Sequence, residues 1–333
     1  MARIVRFHAF GGPEVLRLED VAVPPPGPGE VLIDVTAFGL NRVEALYRTG
    51  ALGPVTFPAR LGYEAAGTVA AIGPGVTDWR VGDRVATLYG LSMADFGTHA
   101  ERLCYPADRL VAVPPTLSLV DAAAAWMQYG TAYALVEIAN VGAGDFVVVT
   151  AASSSVGIAA IQIARDHGAI PIAVTRGADK AQPLRDLGGA HVIVSDDEDV
   201  PSRVMEVTGG KGARVVFDAL GGAPLAALVG TVARQGVVIA YGMLAGHSLE
   251  VPLPPLMLGN VTLRGYSADL LVEQPESRAR MVGYVGDSLA RGTLRPVIDS
   301  TFAIEDIAEA HRRLESNRQL GKIVVTTALA LQE

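Results

Sequence analysis

One cysteine, Cys104, stands in 333 residues, so no disulfide can form within the chain. That scarcity fits a reducing compartment. Positive charge is also in the minority: 27 Lys and Arg against 35 Asp and Glu leave a formal net charge of −8. A surplus of that sign argues against nucleic acid or an anionic membrane as a partner. No apolar run reaches 18 residues, and the alanine-rich segment at 122–125 is interrupted by Gln128 and Gly130. The opening MARIVRFHAF holds no apolar core of signal-peptide length. The expectation is a soluble, cytoplasmic protein. What the chain does have is apolar residues, 50% of the total, and length for two domains.

The grammar of the chain changes near residue 118. Before it, short branched apolar runs at 31–35, 67–72, 83–87 and 109–113 are separated by glycine and proline, as in a twisted, largely antiparallel sheet. PPPGPGE at 24–30 can be neither helix nor central strand. One short helix is expected at 41–47. After it, Ser118 is placed to cap a helix running to 127, and a further helix is expected at 132–139.

Strands at 146–150, 170–175, 191–194, 215–218, 237–241 and 262–265 then alternate with helices at 156–167, 178–187 and 201–208. That alternation predicts an α/β fold with a doubly wound parallel (Rossmann) sheet. Helices at 275–291 and 304–314 precede a last strand, 321–325, which is expected to return to the N-terminal β domain. The boundaries read as 1–122 with 267–333 for one domain and 123–266 for the other.

Glycine is missing where it is most expected. After the first strand of the alternating part comes TAASSSVGIAAIQIA, at 150–164, in the place of a G-x-G-x-x-G phosphate loop. Only Gly157 remains, for close helix–strand packing, while Ala152 and Ser154 stand in the first two glycine positions. Ser153, Ser154, Ser155 and Val156 complete a loop whose small side chains, hydroxyls and helix N-terminus suit a pyrophosphate. A plain turn in an α/β domain is the other reading.

An acid is missing too. At the tip of the second strand, where Asp or Glu would hold the ribose of NAD, the chain reads Thr175, Arg176 and, within a turn, Lys180. A hydroxyl, a guanidinium and an ammonium suit a 2′-phosphate, which favours NADPH over NADH.

Taken with GGPEVL (11–16), GLN (39–41), LGYEAAGTV (61–69), GDRV (82–85), VFDALGG (216–222), AYG (240–242) and GKIVV (321–325), the loop resembles that of the medium-chain dehydrogenases/reductases. Within that superfamily the chain is similar to the zinc-independent quinone oxidoreductases related to zeta-crystallin, over nearly its whole length. The resemblance implies a GroES-like catalytic domain beside the Rossmann domain. It also implies that the places of the three catalytic zinc ligands are taken by Asn41, Tyr63 and the neighbourhood of Gln128 and Tyr129. Glu64 alone cannot hold zinc, and no two of the six histidines have ligand spacing in sequence, so no metal is expected.

Without a Lewis acid, the chemistry left is hydride transfer to an acceptor that is already electron-poor. NADPH-dependent reduction of a quinone or an enone is what the resemblance implies, with a homodimer joined through the nucleotide-domain sheet edge near 237–253. An enoyl-thioester reductase, or an NADPH-binding protein with little turnover, stays open. Asn41 is either a donor to the substrate oxygen or the Asx cap of the helix after it. Tyr63 and Tyr47 are candidate phenol donors, or packed tyrosines. Gln128 and Thr131 match positions near the nicotinamide end, Gly242 and Met243 lie just past the C-terminal end of a parallel strand, the usual side for ligands, and Lys322 is either a charge near the cleft or a solvated lysine. Cys104 reads as a small buried residue, and Glu64 as the partner of Arg84 or another cation.

Overall fold

A computed structural model describes residues 1–332, with side chains to residue 330. The chain divides into two units: Met1–Met127 together with the stretch from Arg278 onward, and Gln128–Ser277. Both boundaries lie later than the sequence reading put them. The first falls inside the helix Trp126–Ala132. The second lies past the helix Asp269–Glu273, whose Leu271 and Val272 are buried, and Ser277 donates to Glu137 at 3.2 Å.

The first unit is built on a seven-stranded sheet. Its strands lie in the order Ile298–Ala303, Lys322–Thr326, Glu30–Gly39, Glu64–Ile72, Arg84–Thr87 and Leu110–Ala112, with Arg102–Pro106 also paired to Glu30–Gly39. A small sheet of Arg17–Val21, Ala2–Phe7 and Ala59–Arg60 joins it. Alternation at 30–35 places Val31, Ile33 and Val35 in the core, with the partners between them half-buried. The last strand does return: Val324, Val325 and Thr326 pair antiparallel with Gly39, Phe38 and Ala37. The expected short helix is Arg42–Arg48.

The second unit holds six parallel strands in the order His191–Val194, Ile170–Thr175, Phe146–Val149, Ala213–Asp218, Val232–Ala240, Thr262–Gly265. Numbered along the chain this is 3-2-1-4-5-6, the doubly wound order with its switch point beside Phe146–Val149. Val148, Ile172, Val174, Ile193, Val216 and Val238 make its core, as expected of strands covered on both faces.

Several local details depart from the sequence reading. Ser118 does cap a helix, its Oγ accepting from Asp121 N–H at 3.0 Å, but that helix is only Leu119–Ala122. The expected 132–139 helix shrinks to Ala134–Glu137. Val232–Ala240 is paired on both sides, so the sheet edge is Thr262–Gly265, and residues 248–252 form no strand.

Candidate functional site

In the first unit a polar cluster is sealed under the sheet. Asn41 caps the helix Arg42–Arg48 just past the end of strand Glu30–Gly39, and Glu64 and Lys322 open their own strands beside it. Gly39 makes the room: a Cβ there would fall 2.5 Å from Lys322 Cε and from the carbonyl oxygen of Ala123, and 2.9 Å from Glu64 Oε1. Lys322 and Glu64 form an ion pair, each about 1% exposed. Lys322 Nζ also donates to Asn41 Oδ1 at 2.7 Å, and Glu64 Oε2 accepts from Met127 N–H at 2.9 Å. The reading of Lys322 as a solvated lysine therefore gives way: its ammonium is buried and paired. Glu64 has another cation in place of Arg84, which donates to the carbonyls of Leu117 at 2.6 Å and Pro114 at 3.4 Å.

Asn41 is similarly engaged. Its Nδ2 faces Glu44 Oε1 and Glu64 Oε1 at 3.2 Å and the Gly39 carbonyl at 3.3 Å, so its amide is held by internal acceptors. Glu44 accepts from Asn41 N–H at 2.9 Å and from Tyr63 N–H at 3.2 Å. Burial pushes the Glu44 carboxyl up, but His99 and the hydrogen bonds outweigh it and hold the group below its ordinary value. Glu44 escaped the sequence reading, although Asn41 and an acid three residues on have the spacing of a capping box.

Tyr63 is partly buried against the core, fixed through its backbone to Glu44. Tyr47 meets Phe7 edge-on with ring centroids 5.8 Å apart. Burial first, then Asp95, raise its phenol pKa, so it stays a donor. Cys104, expected inside, is only partly buried; its thiol lies 3.4 Å from the Pro24 carbonyl and burial pushes its pKa up.

In the second unit the loop after Phe146–Val149 does the work of glycine with other residues. The left-handed residue is Ala151, at φ 45°. Ser154 caps the helix Ser155–Asp166, its Oγ accepting from Gly157 N–H at 3.0 Å. Gly157 is sterically required: a Cβ there would lie 2.6 Å from Ala151 O and 2.7 Å from Ala152 Cα. Ala152 is buried, and the first-turn N–H groups of Ser155 and Val156 are the donors every helix start leaves over.

Beside this loop, Lys180 Nζ reaches Ser153 Oγ at 3.3 Å. Thr175, buried, ends its strand; Arg176 next to it is exposed. Gln128 is 1% exposed and its Oε1 accepts no hydrogen bond; Thr131 is buried. Gly242 sits where a Cβ would fall 2.5 Å from the Ala219 carbonyl, and Met243 after it is exposed. Asp218 shapes the neighbouring strand end, accepting from Thr150 Oγ1 and Gly221 N–H at 2.7 Å and from Leu220 N–H at 3.0 Å.

A doubly wound nucleotide-type unit and a GroES-like unit closed by the C-terminal strand define a two-domain dehydrogenase/reductase. Residues 27–115 match the family model described as alcohol dehydrogenase GroES-like domain, and residues 155–276 that described as zinc-binding dehydrogenase. The chain is 32% identical over 340 residues to a 2-haloacrylate reductase from Burkholderia sp, covering 98% of each. It is 32% identical over 327 residues to a quinone oxidoreductase from Pseudomonas aeruginosa, covering 98% of this chain and 99% of that one. The crystal structure of Escherichia coli quinone oxidoreductase complexed with NADPH superposes with a TM-score of 0.89 at 28% identity, over 98% of this chain and 100% of that one. The chain belongs to the quinone oxidoreductase family of the medium-chain dehydrogenases/reductases, and it is an oxidoreductase.

Proposed function

We propose that this enzyme reduces a quinone or an activated alkene with NADPH as hydride donor. The observation that carries the cofactor choice is at the second strand tip: Lys180 Nζ lies 3.3 Å from Ser153 of the phosphate loop, beside exposed Arg176, and Thr175–Arg176 contains no acid. Gly157, where a Cβ would collide with the Ala151 carbonyl at 2.6 Å, lets the helix start lie close against the loop, which supports the pyrophosphate reading. Ala152, Ser153, Ser154, Ser155, Val156 and Gly157 would hold the pyrophosphate, and Thr175, Arg176 and Lys180 the 2′-phosphate. Gln128, whose buried Oε1 lacks a donor, would meet the carboxamide end with Thr131, Gly242 and Met243.

Bound NADPH supplies the hydride. The protein's own task is to orient the acceptor and stabilise the negative charge that appears on its oxygen. Tyr63 and Tyr47 are the proposed phenol donors, with Tyr47 kept protonated by burial and by Asp95. Asn41, its amide held by Glu44, Glu64 and Lys322, positions the helix Arg42–Arg48 on which Tyr47 sits. Both named relatives support this acceptor class, since a quinone and a 2-haloacrylate are alike electron-poor conjugated systems.

The test is a titration of purified enzyme with NADPH and with NADH, followed by nicotinamide fluorescence, then addition of 1,4-benzoquinone or 2-chloroacrylate. Preferential NADPH binding and its oxidation on addition of either acceptor is expected. Equal affinity for the two nucleotides would overturn the cofactor assignment, and binding without oxidation would overturn the acceptor class.

We further propose a homodimer formed through the free edge of the strand Thr262–Gly265. All four residues of that strand are exposed, and Leu253, Met257 and Leu258 of the helix that precedes it in the chain are 64%, 73% and 77% exposed. An apolar patch and an unpaired strand edge are satisfied by a second copy about a two-fold axis. Among the described residues no helix is long and apolar enough to cross a membrane. Cytoplasmic location is proposed with the single cysteine as its support.

A further inference from the structure

Glu44, His99 and His311 come together in the interior of the first unit, far from one another in sequence. All three are 0% exposed, and one ligand atom from each lies within 4.8 Å of the other two. Glu44 Oε2 stands 3.4 Å from His99 Nε2, without hydrogen-bond alignment. All four ring nitrogens of His99 and His311 are buried with no hydrogen-bond partner. Buried polar groups are nearly always satisfied, and a set of orphans facing one another points to an unseen ion or water.

The three side chains are fixed before anything binds. His99 stacks on Phe38 with centroids 4.4 Å apart and meets His311 edge-on at 5.9 Å. Its backbone is tied on both sides, N–H to the Leu61 carbonyl at 3.1 Å and carbonyl to Val5 N–H at 2.9 Å. The Glu44 carboxylate is oriented by the N–H groups of Asn41 and Tyr63. His311 projects from the helix Ile307–Glu315.

A proton shared between His99 and Glu44 would satisfy one nitrogen and leave the other three bare. Two imidazoles and one carboxylate are instead the donor set of a borderline divalent metal. From these observations we propose that Glu44, His99 and His311 bind a divalent transition metal, Zn2+ foremost, which fastens the C-terminal helix to the N-terminal half of the unit. Closing a tetrahedral shell draws the donor atoms in to roughly 3.3 Å from one another, with a water as fourth ligand. Burial of all three residues shuts out substrate, so the ion is structural and separate from hydride transfer.

The test uses full-length, tag-free protein expressed with added zinc and measured for metal after gel filtration. About one zinc per chain is expected, with a midpoint of thermal unfolding several degrees higher than for chelator-treated protein. In His311→Gln the zinc content and the zinc-dependent shift should both vanish. Should that variant not fold, Co2+ loaded into the wild-type apoprotein is expected to give the visible ligand-field bands of a tetrahedral nitrogen–oxygen site. Wild-type protein that carries no zinc, shows no zinc-dependent midpoint and gives only the spectrum of aqueous Co2+ would overturn the proposal in favour of buried water.

Discussion

Lys322 and Glu64 meet as an ion pair in the interior, each about 1% exposed, with Asn41 hydrogen-bonded to both. The pair fastens the first residue of the closing strand to the first residue of Glu64–Ile72. Removing one partner leaves a buried charge uncompensated. Lys322→Met is therefore expected to lower stability by roughly 3–5 kcal/mol in urea unfolding, and Lys322→Met with Glu64→Leu by much less. A cycle in which the two losses simply add would show that the pair is not coupled. NADPH affinity of the folded Lys322→Met protein should be unchanged, because the ammonium is committed to Glu64 and Asn41.

Gly157 has no space for a side chain. A Cβ would lie 2.6–2.7 Å from the backbone of Ala151 and Ala152, so Gly157→Ala must push the loop off the helix start. The expected cost is about 1–3 kcal/mol of stability from overpacking. NADPH affinity should fall at least tenfold, a loss of about 1.4 kcal/mol. Wild-type affinity in this variant would mean that the loop does not hold the pyrophosphate.

The sequence carried the architecture because strand and helix periods, and the small residues at 151–157, are local signals. The parallel sheet and the returning strand Lys322–Thr326 could be read from them, and the loop stood between its strand and helix where the pattern required, although the capping role of Ser154 was not read. The buried polar chemistry was not legible in the same way. Lys322 looks like any lysine before an edge strand until Gly39 and Glu64 are seen beside it. His99 and His311 have no spacing that links them; only the packing of the helix Ile307–Glu315 against the sheet unites them with Glu44. Ala151 takes the left-handed conformation, which no propensity of alanine would reveal.

On the proposed reading, Arg176 and Lys180 would divide the work of selecting a 2′-phosphate. Lys180 already leans on the loop through Ser153, whereas Arg176 is exposed beside it. Arg176→Ala and Lys180→Ala are each expected to weaken NADPH binding by about tenfold, or 1.4 kcal/mol, and to leave NADH binding within a factor of two. The wild-type preference for NADPH should shrink at high salt, since exposed charge contacts are screened. Equal losses for both nucleotides would mean that these residues support the loop rather than read the 2′-phosphate.

Asp299 and Arg313 supply a pH-dependent clamp on the C-terminal helix. Arg313 donates to both carboxylate oxygens, at 2.8 and 3.0 Å, and Leu320 N–H adds a third bond at 2.8 Å. Burial pushes the Asp299 carboxyl up, but Arg313 and the other bonds hold it below its ordinary 3.8. A depressed carboxyl stabilises the fold fully above its unfolded value and loses that contribution as pH falls through the folded one. Asp299→Asn should therefore cost about 1–2 kcal/mol at pH 7, discounted because Arg313 is a third exposed, with the gap closing below about pH 4. A gap that stays constant from pH 7 to pH 3 would remove the charge from the explanation.

The exposed edge makes the last prediction one of assembly. Met257 and Leu258 stand out from the helix Leu253–Gly259, which buries no residue of its own and leads into the edge strand Thr262–Gly265. Pairing two such edges about a two-fold axis would hide both the free backbone groups and the apolar side chains. Leu258→Glu places a carboxylate against its own symmetry mate's apolar patch, so light scattering should show a dimer for the wild type and a monomer for the variant. Far-ultraviolet circular dichroism of the variant should be unchanged, since Leu258 contributes nothing to the unit's interior. A wild type that is monomeric at micromolar concentration would instead leave this edge to some other partner.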